Sequence, residues 1–313
     1  MNILDFNSYD LSFVGDIHGE FQKLFQTIRG KHLKDTVLIA VGDVGMGFNK
    51  TQYYIDLFKG FNETILKPQN VIVVFMRGNH DDPKFFNEKF FDFSNIFLIP
   101  DYTLIKTNKH NTLCVGGGLS IDRSWRISEE NRVNRFKQNK DDWKHFYWND
   151  EAFIFDDTKI DKSVEIDSVA THINPRLDKF IQIKNKQLDY WCETDLSLRD
   201  EYEMESKEIT KLYDFVTNNF KINFWVNGHL HYKDTFNHNS ITINIKYMLY
   251  LINKLHELRN FLFFLWLLSG DVCLLLSYVF RVLFLLCEVL SRSLHILRQN
   301  LPLLPVLSSR VQQ

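Results

Sequence analysis

The sequence predicts a layered α/β fold, and three observations carry that reading. Short apolar runs rich in Val and Ile alternate with stretches of helical spacing up to about residue 246. Four short blocks of Gly, Asp, Asn and His each follow one of these runs, which places them in loops at the carboxyl ends of strands. After Lys254 the composition changes: no lysine recurs, Ile296 is the only isoleucine, and leucine dominates.

In order, Leu11–Val14, Val37–Val41, Val71–Met76, Thr112–Val115, Ser168–Ala170 and Ile222–Val226 read as short buried strands, with Thr242–Ile245 as a final one. Phe21–Ile28, Tyr53–Phe61, Pro83–Phe90 and Glu201–Asn218 read as the helices between them. In the last, Tyr202, Ile209, Leu212, Tyr213 and Val216 keep one helical face. Residues 123–165 are less regular and are expected to form an inserted cap or loop region over the site.

This pattern divides the chain into an α/β domain at 1–245 and a leucine-rich, apolar helical tail at 246–313. Phe261–Cys287 is almost wholly apolar and long enough to span a bilayer. Against a span, Asp271 and Arg281 each cost about 2.5–3.5 kcal/mol near a helix centre. The tail therefore has three readings: a membrane helix over 261–287, a buried helical extension, or a non-native, appended or out-of-frame segment.

Hydrophobic residues at 45% and charged residues at 24% suit a globular chain with a sizeable core. A net charge of −2 excludes a generally basic nucleic-acid binder but leaves room for a local basic patch. Cys114, Cys192, Cys273 and Cys287 show no C-x-x-C spacing, so neither a disulfide framework nor a thiolate zinc site is readable. The start lacks both a basic region and a long apolar stretch. A cytoplasmic location is expected, with membrane association through 261–287 as the alternative.

The blocks are Gly15-Asp16-Ile17-His18-Gly19, Gly42-Asp43, Gly78-Asn79-His80-Asp81 and Gly228-His229-Leu230-His231, with His172 alone after Ala170-Thr171. Carboxylate oxygens and borderline imidazoles gathered at one sheet edge suit Mn, Fe, Zn or Ni better than Ca. Two such ions about 3.5–4 Å apart can share a water and lower its pKa, which yields hydroxide for attack on a bound phosphorus.

In the order and wording of these blocks the chain resembles the calcineurin-like metallophosphoesterases, from about Asp10 to Ile245. The resemblance implies a β-sandwich flanked by helices. It implies that Asp16 and His18 hold a first divalent metal ion, that Asp43 bridges to a second, that Asn79, His172 and His229 hold the second, and that His231 returns to the first. It also implies that His80 contacts phosphate and protonates the leaving oxygen, with Asp81 orienting it. Arg77 stands where the phosphoprotein phosphatase branch has a phosphate-holding arginine. However, Gly42-Asp43-Val44-Gly45-Met46-Gly47 lacks the Asp-Arg-Gly of that branch, so a phosphoprotein substrate is not implied.

The stretch from Gly116 to Arg123 resembles a segment in bacterial and phage members. Arg123 and Arg126 are candidates there for reaching substrate; the other reading is a glycine turn followed by a solvated basic segment. Between Arg123 and Lys144, basic residues interleave with Trp125, Phe136 and Trp143, a mixture that suits either nucleic acid or an amphipathic cap. The implied function is a dinuclear metal-dependent phosphoesterase that hydrolyses phosphomonoesters or small nucleotides by a metal-activated hydroxide. Its alternatives are a phosphodiesterase or nuclease of the same fold, or a non-catalytic binding module.

Overall fold

The computed structural model describes residues 1–139, 142–176, 188–229, 234–238 and 241–245. The chain divides into two units, Met1–Leu249 and Tyr250–Gln313, and every described residue belongs to the first. The leucine-rich tail and its apolar stretch at 261–287 lie outside the described residues. Among those described, no helix is long and apolar enough to cross a membrane.

Among the described residues, eleven strands form two sheets: β1 (Asn2–Phe6), β2 (Asp10–Val14), β3 (Thr36–Val41), β4 (Val71–Met76), β5 (Ile96–Leu98), β6 (Thr103–Thr107), β7 (Asn111–Val115), β8 (Ser168–Thr171), β9 (Phe224–Asn227), β10 (Asp234–His238) and β11 (Ile241–Ile245). The four-stranded sheet has the order β2-β3-β4-β5 and is wholly parallel. The seven-stranded sheet has the order β1-β6-β7-β8-β9-β11-β10, and only β6–β7 and β10–β11 pair antiparallel. The strand expected at Thr242–Ile245 is not an edge: β11 lies between β9 and β10.

The alternation of side chains along each strand sorts the core into three layers. Val37, Ile39 and Val41 of β3 and Ile72, Val74 and Met76 of β4 face Ile105, Cys114, Ala170 and Val226 of the larger sheet. The opposite face of the small sheet, with Leu38, Ala40, Val73 and Phe75, packs on α1 (Phe21–Gly30) and α2 (Thr51–Phe61) through Leu24, Phe25, Ile28, Tyr54 and Phe58. The outer face of the large sheet packs on the long Leu198–Asn219 helix through Ile209, Leu212 and Val216. Each such side chain contributes about 1.5–3 kcal/mol on burial. The result is the helix–sheet–sheet–helix layering the sequence implied.

Two helices depart from expectation. The helix expected at Pro83–Phe90 shortens to α3 (Lys84–Asn87). The irregular region 123–165 contains α4 (Arg123–Asn134), whose buried residues are Arg126 and Asn134 rather than an apolar stripe. The Leu198–Asn219 helix is α5.

Candidate metal centre

Because the strands that lead to the site run parallel within their sheets, their carboxyl ends share an edge. Asp16, Asp43 and Asn79 follow β2, β3 and β4 of the small sheet, and His172 and His229 follow β8 and β9 of the large one. The site is therefore the seam where the two sheets meet.

The backbone there is forced. Asp16, His18, Asp43 and His229 adopt φ of 44°, 48°, 48° and 67°. Such left-handed conformations cost roughly 1–3 kcal/mol each in a non-glycine residue. Compensating bonds hold them: His18 N–H donates to the Asp43 carbonyl at 2.7 Å, and His229 N–H donates to Asp16 Oδ1 at 2.9 Å. Glycine is obligatory at two contacts. A Cβ on Gly42 would lie 2.2 Å from His172 Nδ1, and one on Gly78 would lie 2.2 Å from Asp43 Oδ1.

Two groups of potential ligands share Asp43: His18, Asp43 and His80 on one side, and Asp43, His172 and His229 on the other. Asp43 Oδ2 is buried with no hydrogen-bond partner among the described residues, and it faces His18 Nε2 at 3.8 Å and His80 Nε2 at 3.9 Å. A buried carboxylate oxygen left this way is costly unless a cation completes it. Asp43 Oδ1 accepts from His80 N–H at 2.9 Å and stands 3.2 Å from His172 Nε2. Asn79 Oδ1 lies 2.9 Å from His172 Nε2 and 3.0 Å from His229 Nδ1. His172 Nδ1 lies 2.9 Å from the Val41 carbonyl, which as its acceptor leaves Nε2 facing the centre. The donor set therefore fits divalent metal.

Charge follows the same geometry. Burial raises the Asp43 carboxyl, but His172, His80 and His18 outweigh it and hold Asp43 well below the carboxylate range. Burial lowers His172, yet the Asp43 and Asp16 carboxylates push it up to about 9 in the metal-free protein.

The family model of the calcineurin-like phosphoesterases matches residues 11–233. The chain belongs to that family. No curated protein matches it. Among solved structures it is similar to the phosphopantetheinyl hydrolase PptH from Mycobacterium tuberculosis, at 14% identity over 77% of this chain and 90% of that one. The TM-score of that pair is 0.38, which carries no argument about function.

In this calcineurin-like phosphoesterase the remaining expected residues divide into those that reach the site and those that support it. His80 reaches it, with its ring 4.8 Å from that of His18. The buried Arg126 reaches it too: its guanidinium contacts the His80 ring, the Asp122 carboxylate at 2.7 Å and the Phe146 carbonyl at 3.3 Å. Burial pushes His80 down to about 4, with Asp43 opposing and Arg126 adding to the shift. His231 lies outside the described residues.

Three of the expected residues make contacts other than those the resemblance implies. Arg77 was expected to hold phosphate, yet its fork binds Asp101 Oδ2 at 2.9 and 2.7 Å and the Glu151 carbonyl at 2.7 Å. Its donors are directed to those partners, and it braces the Gly116–Gly117 turn. Asp81 was expected to orient His80. Its carboxylate instead accepts from the N–H groups of Val44, Gly45, Met46 and Gly78 at 2.7–3.0 Å, tying the Asp43 loop to the Asn79 loop. Arg123 ion-pairs with Asp195 and Glu201, linking α4 to α5. Sequence reading missed Asp101, Glu151 and Ser120 in supporting roles. Only Ser120 had a signal, its place in the glycine-rich stretch after β7.

Proposed function

We propose that this chain is a dinuclear metal-dependent hydrolase of phosphomonoesters or small nucleotides. Metal-dependent phosphoester hydrolysis comes with the family; the two-ion centre and the substrate class are the proposal. The observation that carries it is Asp43, whose two buried oxygens face separate imidazole groups, His18 with His80 and His172 with His229.

Asp16, His18, Asp43 and His231 are assigned one ion; Asp43, Asn79, His172 and His229 are assigned the other. When bound, the ions supply an activated water and neutralise charge on the phosphoryl oxygens. Arg126 takes the phosphate role expected of Arg77, because its guanidinium stands against His80 beside Asp43 Oδ2. His80, neutral at this degree of burial, is assigned a hydrogen bond to the ester through its ring N–H.

A small substrate suits the flank of the site. Trp148 packs on Phe48 with centroids 5.5 Å apart, and the Phe146 carbonyl receives Arg126, so the 142–151 segment is fastened beside the centre.

The test assays the full chain with Mn, Ni, Zn and Mg on an aryl phosphate monoester and the matching diester. Asp43→Asn should lower metal-dependent turnover by at least about 10³-fold. Undiminished turnover in that variant would overturn the bridging role. Faster diester hydrolysis would favour the phosphodiesterase reading, and metal binding without turnover on either ester would favour the binding module.

A further inference from the structure

We infer that Ser120 and Glu151 are positioning residues that set the polarity of the Asn79 amide, and thereby its capacity to ligate. The inference rests on the metal-centre reading above. An asparagine can serve a cation only through its carbonyl oxygen, yet its two ends are nearly the same shape, so the surroundings must choose between them. Asn79 Oδ1 faces the His172 and His229 imidazoles at 2.9 and 3.0 Å, and Nδ2 donates to Ser120 Oγ at 3.0 Å.

The serine hydroxyl is itself directed. Ser120 Oγ–H donates to Glu151 Oε2 at 2.7 Å, while Ser120 N–H donates to Glu151 Oε1 at 2.6 Å. Burial raises the Glu151 carboxyl to about 8; once ionised it takes the Ser120 Oγ–H, and Ser120 Oγ then meets Asn79 as an acceptor. Only Nδ2 can answer it, so Oδ1 turns to the centre. Asn79, Ser120 and Glu151 are all buried, which leaves water little access to exchange these roles.

The backbone holds the same relay. Gly118 N–H donates to the Glu151 carbonyl at 3.0 Å, and Arg77 donates to that carbonyl at 2.7 Å. The glycine-rich turn after β7 and the 151 segment are thus fastened together behind Asn79.

The experiment measures Mn²⁺ binding to the metal-free full chain by calorimetry, with thermal unfolding as the control for folding. Ser120→Ala removes the acceptor without adding volume and should weaken Mn²⁺ binding by about 10–100-fold while the protein stays folded. Ser120→Thr, which keeps the hydroxyl, should restore most of the affinity. Above pH 8, where Glu151 is ionised, Glu151→Gln, which can turn a donor towards Ser120, should also weaken binding. Parental affinity in Ser120→Ala, with Asp43→Asn losing affinity, would overturn the relay and leave the metal centre standing. Parental affinity in Asp43→Asn would overturn both.

Discussion

At the edge of the four-stranded sheet, Asp16, His18 and Asp43 sit on left-handed backbone; of the two ligands from the seven-stranded sheet, His229 shares that conformation and His172 does not. The small sheet supplies the anionic ligands and holds them by force: the Asp81 carboxylate gathers four N–H groups beneath the Asp43 and Asn79 loops. The large sheet supplies His172 from a relaxed turn, where Trp225 Nε1–H donates to Thr171 Oγ1 at 2.7 Å and Thr171 donates to the Ile173 carbonyl at 2.7 Å. Oxygen ligands that repel one another need restraint before a cation arrives; the His172 imidazole needs a direction and the loss of its proton. Damage on the two sides should therefore read out differently, as lost stability on one and altered metal affinity on the other.

Asp81→Asn gives the largest effect expected from this contrast. Burial and Asp43 push the Asp81 carboxyl up to about 6, while its N–H donors hold it down, so it is ionised above neutral pH. An amide turns a donor towards two of the four N–H groups, at a cost of about 2–4 kcal/mol. Calorimetry should record a Tm lower by about 5–10 °C. An unchanged Tm would remove the distinction between a restrained and a relaxed side.

On the other side, pH should act through His172. Its folded pKa of about 9 stands above the ordinary 6.5, so its contribution to the stability of the metal-free protein is full below 6.5 and is lost as pH rises through 9. A metal ion must displace that proton. Mn²⁺ affinity should rise about tenfold per pH unit between about pH 7 and 9 and then level off. Titration calorimetry across that range checks the slope; a flat profile would contradict a charged His172.

Arg123→Ala should do least. Its ion pairs with Asp195 and Glu201 lie away from the centre and are partly exposed, so urea unfolding should show a loss of about 1 kcal/mol. KM should stay put, whereas Arg126→Ala should raise it. A KM change in Arg123→Ala would return that residue to the substrate.

The same contrast explains what could be read from the chain alone. β3 and β4, buried on both faces, are continuous apolar runs, and Val71–Met76 matches its strand end to end. Edge strands β1 and β10 mix polar with apolar residues and give no such run. Helix α4 was illegible because it carries no apolar stripe; Arg126 and Arg123 dock it through ions. The ligand blocks were legible because each is local, a turn after a strand. The partners of Arg77 and Asp81 were not legible because the fold sets them: Asp101 lies 24 positions from Arg77, and the N–H groups of Val44, Gly45 and Met46 lie 35–37 from Asp81.

The close approach at Gly42 has a consequence for the molecule's mechanics. With no room for even one carbon between that backbone and the His172 ring, the two sheets are geared together at the reaction edge. The thickness of the apolar layer behind them, where Val41 and Met76 meet Ala170 and Val226, then acts as a spacer that calibrates the gap between the two halves of the ligand set. A methyl group added at Ala170, far from any reacting atom, becomes a way to detune the metal.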